Sequence, residues 1–125
     1  MSRSGRFKIM GARVNFVFKQ ADGNAVALYS HWGEDSWAED LALALRHAAP
    51  RKGDESYYVR NAISYLIKDS ILDETGYGIY ACNVDAMAFM DHPILIDLGR
   101  DVIIDETGTH SIDSFIEYHA AGLTV

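Results

Sequence analysis

Two apolar runs of equal length, hinged on Asp22-Gly23, constrain this chain more than any other feature of its sequence. Residues 12–19 read Ala-Arg-Val-Asn-Phe-Val-Phe-Lys, and residues 25–32 read Ala-Val-Ala-Leu-Tyr-Ser-His-Trp. Both are rich in β-branched and aromatic side chains, and Asp-Gly suits the positive φ of a tight hairpin turn. The chain is therefore committed to a sheet that begins with an antiparallel hairpin. With a two-residue turn, Arg13 lies opposite Trp32, and Asn15 opposite Ser30, on one side of the sheet. Val14, Phe16 and Phe18 then share the other side with Ala27 and Tyr29 as the core face. A one-residue bulge would scramble this assignment.

Helical signals follow the hairpin. Ser36-Trp37-Ala38-Glu39 has the form of a capping box, and Trp37, Leu41, Leu45 and Ala48 keep the helical period. The spacing predicts a helix from Trp37 to Ala48. Asp54 is placed to cap a second helix, whose stripe is Val59, Ala62, Ile63, Leu66, Ile67, Ser70 and Ile71. Gly76 is read as its terminator. Beyond it, Tyr77–Val84 and Pro93–Leu98 read as strands, with residues 85–92 a loop or helical turn. Gly99-Arg100 turns the chain into a further strand, Asp101–Asp105. Ile112, Phe115, Ile116 and His119 predict a closing helix from Ser111 to Ala120. The expectation is an α+β fold: a mainly antiparallel sheet of about five strands, in the order ββααβββα, with helices packed on one face.

At 125 residues the chain has the size of one domain, expected over residues 10–125 and preceded by a basic extension over residues 1–9. No apolar run approaches the roughly 20 residues of a membrane span, and the first residues lack the apolar core of a signal peptide. The single cysteine, Cys82, lies in the apolar stretch Ile79-Tyr80-Ala81-Cys82 and reads as a small buried hydrophobe. One unpaired cysteine fits a reducing cytosol, so a cytoplasmic location is expected. The formal charge is −7 and uneven. Residues 1–20 carry Arg3, Arg6, Lys8, Arg13 and Lys19 without an acid, while from residue 76 onward eight acids face one base, Arg100. Duplex nucleic acid needs a clustered positive face, which the body of this chain lacks.

The motifs point away from catalysis. None of His31, His47, His92, His110 and His119 has a second histidine at metal-ligand spacing, which leaves only a non-local site built around His92 and Asp91. There is no Gly-x-Ser-x-Gly elbow. Thr75-Gly76-Tyr77-Gly78 precedes a strand, whereas a phosphate-cradling loop opens a helix. Glu34, Asp35, Glu39 and Asp40 crowd the start of the first helix and repel an anion there. Accordingly no catalytic residue, metal or cofactor is expected.

The first hairpin is the surface with recognition chemistry. Arg13, Asn15, Ser30, His31 and Trp32 set polar and aromatic groups on neighbouring strands, and Tyr57 opens the second helix beside Tyr58. A guanidinium pairs with phosphate and an indole stacks on a base, so a flat, anionic, nucleotide-like molecule is the expected ligand. The ordinary alternative is a cross-strand pair that covers the sheet. Such aromatics are also enriched where subunits meet, so a homo-oligomer or a host-protein complex stands beside the small-molecule reading. A small hydrolase using His31 or His92 with a nearby acid is the third.

Met10-Gly11-Ala12-Arg13, Leu28-Tyr29-Ser30-His31-Trp32, Glu74-Thr75-Gly76-Tyr77-Gly78 and Pro93-Ile94-Leu95 together resemble a family of short, uncharacterised proteins of bacteriophages and bacterial genomes. Its members open with a Met-Gly-Ala/Thr-Arg strand and carry a second strand ending in His-Trp. The resemblance covers about residues 10–118. It implies an accessory role in a bacterial host and a start at Met10, and it carries no site residues. Without Arg3, Arg6 and Lys8 the formal charge moves from −7 to −10.

Overall fold

The computed structural model describes residues 13–32 and 35–123. The expected basic extension lies outside them. The strands are β1 (Val14–Lys19), β2 (Ala25–Ser30), β3 (Tyr77–Cys82), β4 (Pro93–Asp97), β5 (Val102–Asp105) and β6 (Gly108–Ser111). The helices are α1 (Trp37–Ala48), α2 (Glu55–Leu66) and α3 (Ile112–His119), with short 3₁₀ segments at Ala49–Arg51 and Val84–Phe89.

All six strands form one sheet in the order β3-β2-β1-β4-β5-β6. The α+β class holds, and two details of the expected sheet do not. A sixth strand, β6, pairs antiparallel with β5; its sequence, Gly-Thr-His-Ser, carries no apolar alternation to announce it. In addition, β1 pairs with β4 in parallel, so the sheet is mixed. The reason is topological. Because β3 adds antiparallel to β2 on the far edge, it runs parallel to β1. The chain must then cross back over two strands to lay β4 against the other side of β1. Residues 83–92 make that crossing, and Met87 and Met90 from it pack on Val17, Ala25 and Ala27.

The hairpin register also differs from the expectation. Gln20 N–H donates to Asn24 O at 2.8 Å, Gly23 N–H donates to Gln20 O at 2.9 Å, and Gly23 has φ of 95°. This is a three-residue loop, Ala21-Asp22-Gly23, whose glycine supplies the bulge. The register becomes Val14↔Ser30, Asn15↔Tyr29 and Phe16↔Leu28. A one-residue slip moves every β2 side chain to the opposite face. Val14, Phe16 and Phe18 do face the core, but with Val26, Leu28 and Ser30 rather than with Ala27 and Tyr29.

The three α-helices lie over that face. Phe16, Phe18, Leu28, Ile94, Ile96 and Ile103 from the sheet meet Leu41, Leu45, Tyr58, Val59, Ile112 and Phe115 from the helices, all buried. Ala42, Ala44, Ala48 and Ala62, also buried, let the backbones of α1 and α2 approach closely. The helix α1 spans the expected residues, yet the capping box is not made: the Ser36 hydroxyl donates to the Asp40 carboxylate at 2.8 Å. The helix α2 ends at Leu66, well short of Gly76. A run of i→i+3 hydrogen bonds (Lys68 to Tyr65, Ser70 to Ile67, Asp73 to Ser70) replaces the last expected turns. Ile71 and Leu72 are exposed there, so no burial rewards a longer helix. Ser111 does cap α3, accepting from Ser114 N–H at 3.0 Å. Among the described residues no helix is long and apolar enough to cross a membrane.

Leu45 is fully buried beneath the sheet, whereas Leu72 is 92 % exposed. Leu45→Ala should therefore cost about 2–5 kcal/mol in urea unfolding, and Leu72→Ala less than about 0.5 kcal/mol. Equal effects would contradict this placement of the core.

Candidate functional site

The face of the sheet away from the α-helices carries a polar network centred on Asn15. This side chain is only 4 % exposed, and both ends of its amide are used. Its Nδ2 donates to Asp91 O at 2.8 Å, and its Oδ1 accepts from the Tyr80 hydroxyl at 2.8 Å. Its backbone N–H reaches His92 O at 3.2 Å. Tyr80 reaches β1 from β3 across Ala27, which offers only a methyl group to cross. Burial first, then the neighbouring Cys82, pushes the Tyr80 hydroxyl above its ordinary value, so it stays a donor. Cys82 is half-buried rather than the buried small hydrophobe expected, and burial raises its thiol above the ordinary value.

The six candidate residues separate by position. Asn15 and Ser30 are buried; the Ser30 hydroxyl turns back to accept from Trp32 N–H at 3.2 Å. These two shape the hairpin end instead of presenting atoms to solvent. Arg13, His31 and Trp32 sit at its open end. Continuing the register one step sets Arg13 opposite His31, not Trp32. The Arg13 guanidinium is half-exposed and lies 3.7 Å from the Asp91 carboxylate. His31 Nδ1 is 2.7 Å from the Tyr29 hydroxyl, and the His31 and Trp32 rings meet edge-on at 4.8 Å. Trp32 is 52 % exposed. Its indole lies so close over Gly76 (φ 102°) that a Cβ there would stand 2.7 Å from Nε1. Glycine at 76 thus serves this corner and not the end of a helix. Tyr57 is not part of the corner: it is exposed on α2, with the Arg51 guanidinium 5.2 Å from its ring centre.

Among the described residues no acid side chain meets His31 or His92, the histidines named for a hydrolase. The ring of His92 stands edge-on to Trp37 at 5.5 Å, with Nε2 buried and unpartnered, and His31 meets Tyr29. The histidine that does meet a carboxylate is His110, whose Nε2 is 3.5 Å from Asp105 Oδ1. Thr107 joins them: its hydroxyl and its N–H donate to Asp105 Oδ1 at 2.6 and 2.7 Å. Thr107 and His110 border a cavity of about 470 Å³ between the β5–β6 hairpin and α3. Sequence reasoning passed over them because β6 was not visible, so nothing set His110 beside Asp105. A second cavity of about 450 Å³ lies at the start of α2, bordered by Ala21, Lys52, Glu55, Tyr58 and Asp101. The Tyr58 hydroxyl is buried and unpartnered there. Burial, with the charges of Asp101 and Asp113, drives it well above its ordinary value, so it stays a neutral phenol.

Burial raises the Asp105 carboxyl, but the hydrogen bonds from Thr107 and the nearby His110 outweigh it and hold the group below its ordinary value of 3.8. A depressed carboxyl contributes stability above its unfolded pKa, and that contribution is lost as pH falls through the folded one. Thr107→Val removes the hydroxyl donor, so Asp105 should titrate at higher pH and its contribution should fade earlier on acidification. Carboxyl ¹³C NMR reads this directly, and an unmoved titration would count against the network. No protein-family model, no curated protein and no solved structure matches this chain.

Proposed function

We propose that this protein is a non-enzymatic binding module, an accessory protein of phage type, that takes a small, planar, anionic, nucleotide-like ligand at the Arg13–His31–Trp32 corner. The observation that carries the reading is the exposed Trp32, edge-on to a half-buried His31, at the same end of the hairpin as the Arg13 guanidinium, whose ion pair with Asp91 is long and open to water. A phosphate is a stronger partner for Arg13 than a carboxylate at 3.7 Å, because two parallel N–H donors meet its oxygens. A base laid on Trp32 adds stacking of about 1–3 kcal/mol. Asn15, Ser30 and Gly76 hold the corner from beneath. Titration calorimetry with AMP and GMP tests the reading. Arg13→Ala should weaken binding at least about tenfold with an unchanged fold, and unchanged affinity would remove this surface from consideration.

A second reading, an acidic module that binds a host protein or its own copy, draws on a different observation. Ile71, Leu72, Ile79 and Phe89 are exposed, and β3, which carries Ile79, is an edge strand. Unpaired strand edges template pairing with another chain, and the acidic surface would favour a basic partner. A complex isolated by pull-down from the bacterial host should then weaken between low and high salt. A salt-insensitive complex would speak against the acidic surface as its basis.

A further inference from the structure

The Asp105–Thr107–His110 chain assigns protons at the cavity beside α3. The Thr107 hydroxyl has one hydrogen, and it goes to Asp105 at 2.6 Å. At the 3.0 Å contact between Thr107 Oγ1 and His110 Nε2, the oxygen must therefore accept and the nitrogen donate. In the neutral ring this leaves Nδ1 as an acceptor, with no hydrogen-bond partner among the described residues. The carboxylate that anchors the chain has a side chain only 5 % exposed, so the arrangement is built into the fold. The walls are aromatic. The rings of Phe115 and His119 are 4.4 Å apart, His119 and Tyr118 stand edge-on at 4.8 Å, and Phe115 is backed by Trp37. The remaining titratable groups on these elements are Glu106 in the β5–β6 turn and Asp113 and Glu117 on α3. All three are acids, and Asp113 also meets Lys52 at 3.8 Å.

We propose that this cavity is a second binding site, which takes a small organic ammonium whose N–H is accepted by His110 Nδ1 and whose charge lies against the rings of Tyr118, His119 and Phe115. Aromatic faces attract positive charge, the surrounding acids are Glu106, Asp113 and Glu117, and His110 Nδ1 offers a lone pair. The volume of about 470 Å³ admits an arylalkyl amine. The site shares no residue with the hairpin corner, so it stands or falls apart from the nucleotide reading.

The test is calorimetry and ¹⁵N-histidine NMR on the full chain, with phenethylammonium and its N-trimethyl analogue as probes. The analogue keeps ring and charge but has no N–H. Phenethylammonium should bind saturably and shift His110 Nδ1, and the analogue should bind at least about tenfold more weakly. His110→Phe, which keeps an aromatic wall, should lower phenethylammonium affinity to that of the analogue, and Tyr118→Ala should weaken both probes. Arg13→Ala should leave both unchanged. Absence of saturable binding, or equal affinity of the two probes, would overturn the proposal.

Discussion

The fold is organised around the central strand β1, and β1 is held in place by one buried amide. Asn15 accepts from β3 through Tyr80 and donates to the carbonyl of Asp91 at the end of the crossing segment. Its own N–H takes the carbonyl of His92. The antiparallel half of the sheet and the parallel β1–β4 pair are thus joined at a single side chain. An amide at this depth must have all its partners, since each unsatisfied buried group costs roughly 1–3 kcal/mol. The segment 83–92 has no long helix to steady it, and the clamp at Asn15 together with Met87 and Met90 on Val17 and Ala27 takes that role.

From that clamp the two faces of the sheet acquire different characters. One is sealed by three α-helices and holds nearly all of the large buried side chains. The other is covered by a thin crossing segment and keeps a polar, aromatic rim at the hairpin's end. Arg13 and His31 continue the register of Asn15 and Tyr29 past the clamp, on this same face. The His110 cavity has another origin. It forms where the short edge strand β6 turns into α3, so the chain folds back on itself and sets a carboxylate, a hydroxyl and an imidazole in line.

Much of the local structure was legible in the residues. The hairpin, α1 with its bounds, the start of α2 and the closing helix follow from apolar periodicity and from Asp-Gly and Ser signals. These depend on interactions within a few residues, which a linear pattern records. Of the candidate surface, His31 and Trp32 meet edge-on and Arg13 stands at the same end of the hairpin, whereas Asn15 and Ser30 are turned inward and Tyr57 lies on α2. The bulge decides only the β2 residues: Gly23 adds one residue to the loop and the period of a strand is two, so Ser30 turns to the core face and His31 comes opposite Arg13.

The sequence by itself determined five of the six strands and the three α-helices, though not where the second one ends, that Val14, Phe16 and Phe18 form a core face, and that the helices share one side. Only the tertiary structure decided strand order, the parallel β1–β4 pair, the pairing of β2 with Asn15's face, and the meeting of Asp105, Thr107 and His110. The physical reason is the range of the forces involved. Burial periodicity and turn geometry act along the chain, while crossover direction, register and buried hydrogen bonds are settled between segments far apart in sequence.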